Sequence, residues 1–303
     1  MSVLPLILAL VLAPLMKGII NRTKAIFAGR TGPPLLQSYY DIWKLLQKGA
    51  VYSHTTTWVF RAGPIVGLAA TLVAATLIPF GNCNAAFFFT GDFVLFAYLL
   101  GVARFFTVSA ALDTGSAFEG MGSSREVFFA ALAEPALLLG LAAVAKESVG
   151  QSIAISLSEM HARISGELWA SSSLVLVLVA LALFVVFLAE NSRIPVDDPT
   201  THLELTMIHE VMVLDHSGPD LAFIFYGAAL KLWLLGALLV GIIVPVTHIP
   251  VLDIVISLSC MAVLAVITGI VESTMARLRL VRIPQLLVGA ITSAVLALVL
   301  EYS

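Results

Sequence analysis

The chain has 303 residues, of which 60% are hydrophobic and 12% are charged, and its mean hydropathy is +1.03. About a quarter of the residues of a soluble domain are charged, so this composition excludes a water-soluble globule and a disordered chain. The 16 basic and 19 acidic residues give a net charge of −3, which excludes a nucleic-acid-binding protein that works through a basic surface. The composition predicts an all-α integral membrane protein, with one membrane domain over residues 1–303.

Eight segments have the roughly 20 mostly apolar residues that a membrane-spanning helix needs. The sequence shows no internal repeat, which disfavours a transporter built from duplicated halves. In chain order, the predicted spans are 3–20, 62–80, 93–112, 127–145, 168–189, 221–246, 254–271 and 283–300.

The basic residues in the loops and at the ends of the spans predict the orientation of the bundle. Loops one, three, five and seven with their flanks hold twelve of them, whereas the opposite loops hold only Lys146 and Arg163. Because cytoplasmic loops are enriched in Lys and Arg, we expect the odd loops inside the cell and both termini on the outer side of the inner membrane. The main cytoplasmic loops are then 21–61 and 190–220. The twelve residues are Lys17, Arg22, Lys24, Arg30, Lys44, Lys48, Arg61, Arg125, Arg193, Arg277, Arg279 and Arg282.

Loop one contains a second helical pattern. Apolar residues recur there at helical spacing, and charged residues fall between them on the opposite face. This pattern predicts an amphipathic helix that lies along the membrane surface or under a partner. Its apolar face would hold Leu35, Leu36, Tyr39, Ile42, Trp43 and Leu46, and its polar face Asp41, Lys44 and Lys48.

Three predicted spans carry an ionisable residue well inside the bilayer, namely Arg104, Glu134 and Lys231. Counted from the cytoplasmic ends, all three lie roughly 12–17 Å deep, near the middle of the membrane. A lone charge there costs at least about 2.5–3.5 kcal/mol, so we expect the three to face one another. They could form an ion pair that only orders the helices. The favoured hypothesis is a proton path in which Glu134 gains and loses the proton.

Further charges cluster near the predicted cytoplasmic ends of the spans. A single surface charge needs no explanation beyond solvation, but their density on one side of a charge-poor protein favours a proton funnel or a docking surface. The sequence Ser123-Ser124-Arg125-Glu126 is typical of a helix N-terminus. The cluster comprises Asp113, Glu119, Arg125, Glu126, Glu190, Glu272 and, in loop five, Asp197, Asp198, Glu204, Glu210 and Asp215.

No residue pattern predicts a catalytic or metal-binding site. His202, His209 and His216 would share one helix face, but steps of about 10.5 Å cannot serve a metal with bonds of about 2 Å. We therefore expect neutral surface or interface histidines. Cys83 and Cys260 cannot hold an iron–sulfur cluster that needs about four thiolates. Nucleotide-binding loops and nucleophile triads are also absent from the sequence.

Five ordered stretches carry a resemblance to a known family. They are Arg30-Thr31-Gly32-Pro33 with Gln37, Asp41 and Lys44; Ala103-Arg104-Phe105-Phe106 through Leu112-Asp113-Thr114-Gly115-Ser116 to Arg125-Glu126; Glu134-Pro135; Arg193 to Asp197 through Ser217-Gly218; and Glu272 to Arg279. Together they resemble the membrane subunit shared by respiratory complex I (its H subunit, NADH dehydrogenase subunit 1) and the energy-converting NiFe-hydrogenases, over almost the whole chain. The second stretch is most similar to the formate hydrogenlyase type.

The resemblance implies a subunit of an oxidoreductase complex at the junction between a peripheral redox arm and a membrane arm that moves protons or sodium ions. The implied partners are an iron–sulfur subunit, hydrogenase-like large and small subunits, and antiporter-like membrane subunits in the lipid bilayer. Iron–sulfur clusters and a NiFe centre would belong to those partners, and this chain alone would bind no cofactor. A quinone is a candidate ligand, because loops one, three and five line a quinone cavity in quinone-using relatives.

Position and resemblance together assign two groups of residues, none of them catalytic or metal-binding. Two alternatives stay open at this point: the quinone-cavity subunit of complex I, and a stand-alone transporter with a substrate site at mid-membrane. The candidates for the proton path are Arg104, Glu134, Lys231, Glu190 and Glu272. The candidates for the platform that docks a partner are Arg30, Gln37, Asp41, Asp113, Arg125, Glu126, Asp197 and Glu210.

Overall fold

The computed structural model describes residues 3–149, 156–197, 207–247 and 249–301. In these ranges the regular structure is helical, with two short 3-10 helices at Glu210–Val213 and Leu280–Arg282. The α-helices are α1 (Leu4–Phe27), α2 (Gln37–Leu46), α3 (Trp58–Ala75), α4 (Asp92–Asp113), α5 (Ala117–Val149), α6 (Leu157–Arg163), α7 (Gly166–Ser171), α8 (Ser173–Glu190), α9 (Gly218–Ile243), α10 (Pro250–Thr274) and α11 (Ile283–Glu301).

Eight helices of the described ranges are long and apolar enough to cross a membrane: α1, α3, α4, α5, α8, α9, α10 and α11. The predicted all-α membrane bundle of eight spans is therefore confirmed. Helix α9 is the most deeply buried span and packs against α1, α3, α8 and α10. On the other side of α8, α5 and α11 complete the bundle. Because α9 lies at the centre, its Lys231 lies inside the protein.

The N-terminus of α3 lies next to the C-terminus of α4 in space. The Thr57 hydroxyl caps α3 by accepting from the Val59 N–H at 3.3 Å. The Asp113 carboxylate, at the last residue of α4, accepts from the Thr57 N–H at 2.6 Å and from the Phe60 N–H at 3.3 Å. These bonds satisfy backbone donors that have no partner within the helix and fix the two spans to each other.

Loop one is held to the bundle at two points. Gly18 in α1 lies so close to the Leu35 carbonyl that a Cβ there would be 2.0 Å from its oxygen. Helix α2 then packs on α1 and α9, while its Trp43 is 64% exposed. The structure thus contains a helix in loop one, and its position on the membrane surface stays a prediction.

The end of loop one meets the start of α9. Gly218 has a φ of +56°, and a Cβ on it would lie 2.6 Å from the Gly49 carbonyl oxygen. Next to it, the Val51 N–H donates to the Ser217 hydroxyl at 3.0 Å. Only glycine combines this backbone angle with so close an approach.

The predicted N-terminus at residues 123–126 is wrong. Helix α5 begins at Ala117, so Ser123 to Glu126 lie inside it. The chain turns just before, at Gly115 with a φ of +71°, and helix formation starts directly after this turn. With 33 residues α5 is about 50 Å long, which exceeds a hydrocarbon core of about 30 Å. We expect its first turns to project beyond the bilayer.

Two further segments differ from the regular helices that the sequence suggests. The segment 168–189 is interrupted at Ser172, because α7 ends at Ser171 and α8 begins at Ser173. His209 lies just before the short 3-10 helix and His216 lies after it, so they do not share one α-helix. His202, Asp198 and Glu204 fall outside the described residues.

The predicted orientation can be tested with two exposed positions on opposite sides, His54 in loop one and Asn84 in the loop after α3. On a background without Cys83 and Cys260, we expect His54→Cys to react with a membrane-impermeant maleimide only after the cells are opened. Asn84→Cys, the matched control, should react in intact cells. The reverse pattern would contradict the assignment of the odd loops to the cytoplasm.

Candidate functional site

Five charged residues from four spans meet inside the bundle, and we call them the ion cluster: Arg104, Glu126, Glu134, Glu190 and Lys231. At its centre lies the Glu190 carboxylate. It accepts from the Arg104 guanidinium through one oxygen, and its other oxygen lies 2.7 Å from the Lys231 ammonium. The Glu190 side chain is only 5% exposed, so the two cations are its main charged partners.

Arg104 joins Glu190 to the two carboxylates of α5. Its Nε lies 3.4 Å from Glu126, and its Nη1 lies 3.8 Å from Glu134. The two glutamates differ in exposure, because the side chain of Glu126 is 10% exposed and that of Glu134 is 33% exposed. Glu134 therefore forms the edge of the ion cluster on the outer surface of the bundle.

The five groups of the ion cluster carry a net charge. Two cations stand against three carboxylates, so the sum is −1 when all five groups are ionised. A net charge inside a membrane protein is unfavourable, and binding one proton removes it. Lys17, Arg193 and Glu210 also line the adjoining cavity, so the local balance of charge includes more than these five groups.

A cavity of about 190 Å³ adjoins the ion cluster. Four members of the cluster line it: Arg104, Glu126, Glu190 and Lys231. Lys17 lines it as well and lies 5.1 Å from the centre of the Phe225 ring. At about 30 Å³ for each water in the liquid, the cavity has room for about six waters.

A second group of ion pairs holds the segment after α8, and we call it the loop lock: Lys24, Arg193, Asp197, Glu272 and Arg277. Glu272 binds Lys24 of α1 at 2.8 Å and Arg193 at 3.1 Å. Asp197 binds Arg277 at 3.1 Å. Because these pairs join α1, α10 and loop five, they fix the loop segment that begins at Glu190.

The loop lock also positions the chain before the 3-10 helix. One Asp197 oxygen accepts from the backbone N–H groups of Ile208 at 3.1 Å and His209 at 3.2 Å. Arg125 donates to the Met207 carbonyl at 3.0 Å. The His209 ring consequently reaches α5, where its Nδ1 lies 3.2 Å from Glu126.

The other predicted platform residues do not join these two groups. Arg30 lies on the exposed surface after α1. Gln37 donates to Asp41 at 2.7 Å within α2. Asp113 caps α3, and Glu210 lines the cavity. The structure therefore separates residues that contact the ion cluster or the cavity from residues that remain on the surface of the bundle.

The far end of loop five docks on α3 through an aromatic contact. The His216 ring stacks on Phe60 with 4.0 Å between the centroids and an interplanar angle of 11°. Burial lowers the pKa of His216, although Asp220 and Asp215 oppose the shift. Folding therefore favours the neutral ring. The contact is fully formed above the ordinary histidine pKa of about 6.5 and weakens as the pH falls toward the lowered value.

The sequence analysis did not assign His209, Lys24 or Lys17 to this site. His209 was expected to be a neutral surface or interface residue, yet it contacts Glu126 across 83 positions of the chain. Lys24 and Lys17 were used only to predict the orientation of the bundle in the membrane. No spacing in the sequence signals these contacts, because each depends on how separate spans pack. Among the described residues, no group of three His, Cys, Asp or Glu side chains is arranged to hold a metal ion.

Comparison with known proteins gives a consistent set of relatives. The family described as NADH dehydrogenase matches residues 1–302. Formate hydrogenlyase subunit 4 of Escherichia coli (strain K12) is 35% identical over 311 aligned residues, covering 99% of this chain and 98% of that protein. Hydrogenase-4 component C of the same organism is 32% identical, covering 89% and 85%. A chain in the structure of the membrane-bound sulfane sulfur reductase, an archaeal respiratory membrane complex, has a TM-score of 0.84 at 20% identity, covering 98% of this chain and 97% of its own. That last similarity concerns the fold.

The central position of Glu190 predicts a stability effect. Glu190→Gln leaves Lys231 and Arg104 without their shared charge, so we expect the free energy of unfolding to fall by about 3–5 kcal/mol. Thermal unfolding of the purified chain in detergent measures the change. The matched control, Glu134→Gln, should lose less because its carboxylate is partly exposed. Adding Lys231→Met to Glu190→Gln should restore part of the loss, and a Glu190→Gln variant as stable as wild type would contradict this role.

Proposed function

Because the chain belongs to the NADH dehydrogenase family, we propose that it is the membrane subunit at which a peripheral redox arm meets an ion-translocating membrane arm. The chain is a membrane component of an oxidoreductase complex. Its own contribution would be to link electron transfer in the peripheral arm to ion movement in the membrane. The observation that carries this proposal is the ion cluster, with its charge of −1, beside the cavity.

The ion path would run from the cavity through the ion cluster to the outer surface of the bundle. Waters in the cavity would exchange protons with Glu126, which lines it beside Glu190. Arg104 contacts both and also Glu134, so protonation of one carboxylate strengthens its attraction to the others. Lys231 would hold Glu190 ionised while the proton moves. Glu272 would belong to the path indirectly, because its pairs position the loop beside the cavity.

The exposed edge of the ion cluster indicates where a membrane partner would lie. Glu134 is 33% exposed near the middle of α5, and Val127, Phe128 and Ala131 around it are exposed as well. A carboxylate that faces lipid at this depth is unfavourable. We therefore place an antiporter-like membrane subunit of the complex on this face, where it would receive the proton from Glu134.

The peripheral arm would dock on the opposite, cytoplasm-facing side. Arg30 and Asp41 are exposed there, and Arg125 holds loop five at the same end of the bundle. An iron–sulfur subunit and hydrogenase-like large and small subunits fit this position, as the two hydrogenase-related relatives suggest. Iron–sulfur clusters and a NiFe centre would be theirs, since Cys83 and Cys260 are two free thiols in separate elements.

The cavity volume bears on the quinone alternative. Typical small-molecule sites occupy about 300–1,000 Å³, and this cavity is about 190 Å³. Four charged groups of the ion cluster project into it. Apolar side chains form most of the cavity wall, and the charged groups occupy only part of it. The quinone alternative therefore stays open, and quinone reductase activity of the purified complex would support it.

Glu134 tests the ion path. We expect Glu134→Gln to assemble with its partners and to keep electron transfer, but to lower proton-coupled turnover about tenfold or more, because the amide cannot carry the proton. Proton uptake in vesicles measures the effect. Glu167→Gln, an exposed glutamate at the start of α7, is the matched control and should behave as wild type. Proton uptake at the parental rate in Glu134→Gln would show that Glu134 carries no proton.

Arg125 tests the docking surface. Arg125→Ala removes the bond to the Met207 carbonyl and frees the segment that Asp197 also holds. We expect the variant to insert normally but to lose its peripheral subunits during purification in mild detergent, with the matching loss of hydrogenase activity. Lys48→Ala, which removes an exposed charge on the same side, should retain them. A wild-type chain that purifies without any iron–sulfur partner would contradict the proposed function itself.

A further inference from the structure

His209 occupies a position that the ion path described above does not use. Its ring bridges two environments, because the side chain is 32% exposed while its Nδ1 lies 3.2 Å from the buried Glu126 carboxylate. It lies on the short segment before the 3-10 helix, on the side of the ion cluster opposite Glu134. The ring also lines the cavity together with Glu126.

We propose that His209 transfers protons between the cytoplasm-facing water and Glu126, and so forms the entrance of the ion path. This inference rests on the proposed function. Imidazole suits the step because it can bind and release a proton near neutral pH. Nothing else in loop five is needed as a reactant, since water supplies the proton.

The transfer itself is simple in chemical terms. The Nδ1–H bond of the protonated ring breaks, an O–H bond forms at Oε2 of Glu126, and the electron pair of the broken bond stays on Nδ1. The ring is then neutral with its proton on Nε2. A rotation that turns Nδ1 toward water lets it accept the next proton.

Protonation of Glu126 has a direct effect on the ion cluster. A neutral Glu126 attracts Arg104 less strongly, and Arg104 also contacts Glu190 and Glu134. The balance of charge around Arg104 then favours the two remaining carboxylates. In this way a proton that enters at His209 changes the interactions of the glutamate at the far edge of the cluster.

The backbone around His209 is held by hydrogen bonds, and its partly exposed ring contacts Glu126. Asp197 accepts from the His209 N–H, and Arg125 donates to the Met207 carbonyl. No backbone movement is therefore needed for the ring to meet Glu126. Of the charged groups near His209, Glu126 contacts the ring and Asp197 contacts the backbone. The other charged groups on the surrounding elements are Lys17 on α1, Arg104 on α4, Arg125 on α5, Lys231 on α9, and Arg193 and Glu210 in loop five.

Three variants test the proposal in the intact complex. His209→Gln keeps a polar side chain but cannot be protonated. His209→Ala leaves space that free imidazole can fill. His216→Gln is the matched control, since it removes a histidine from the same loop that stacks on Phe60 and does not contact the ion cluster.

We expect His209→Gln to purify with its partners and keep electron transfer, but to lower proton uptake about tenfold or more and to change the shape of its pH profile. Added imidazole should restore much of the uptake in His209→Ala and none in His209→Gln. His216→Gln should keep the parental pH profile.

The outcomes separate this inference from the proposed function. If the wild-type complex and His216→Gln move protons and His209→Gln does so at the parental rate and with the parental pH profile, His209 is not the entrance. A loss in His209→Ala that imidazole does not restore, with an unchanged pH profile, would show a structural role and also overturn the inference. A wild-type complex that moves no ions would instead refute the proposed function.

Discussion

A single buried carboxylate, that of Glu190, neutralises cations from two different helices, Arg104 of α4 and Lys231 of α9. Neither cation could stay at this depth alone, because an unpaired charge in the bilayer is strongly unfavourable. Helices α4, α8 and α9 must therefore pack so that these groups meet. The apolar surfaces of the spans alone do not require one arrangement, since lipid tails are as apolar as the side chains. The ion cluster supplies the specificity that the apolar surfaces lack.

The same contact explains the irregular chain after α8. Helix α8 ends at Glu190, beside Lys231 in the central span, and residues 192–197 are buried. Non-helical backbone inside a membrane protein needs partners for its polar groups. Here the Arg193 N–H donates to the Leu188 carbonyl at 2.9 Å, and the Pro195 carbonyl accepts from the Leu278 N–H at 3.0 Å. Because its backbone groups are hydrogen-bonded, this segment can remain irregular and line a cavity.

The sequence predicts the bundle well because each membrane span is a continuous run of apolar residues, which can be recognised without knowing how the spans pack. It also identifies Arg104, Glu134 and Lys231, since a charge inside such a run stands out. The buried position of Glu190 is harder to predict, because a glutamate at the end of a span is usually a surface residue. Only the packing of α8 on α9 places it beside Lys231. The contact between His209 and Glu126 is equally hidden, since a histidine in a polar loop has no distinguishing neighbour in the sequence.

The N-terminus of α5 shows a different limit. Ser123 and Ser124 before Arg125 have the composition of a helix start, but the turn that begins the helix lies at Gly115. Two glycines, Gly120 and Gly122, make the first turns of α5 look like a loop. At Gly122 a Cβ would lie 2.3 Å from a methyl group of Val211, so this glycine serves the packing of loop five and not flexibility.

The contact between Gly218 and Gly49 has a consequence for the order in which the protein is assembled. Loop one is synthesised early, yet its Val51 is bound by Ser217, 166 residues later in the chain. Until α9 is synthesised, the segment around Val51 lacks this bond, although Thr57 can already bind Asp113 of α4. This face of the bundle is therefore completed only after six of the eight spans have been made. The close approach of Gly49 and Gly218 is therefore a late step in the assembly of this face.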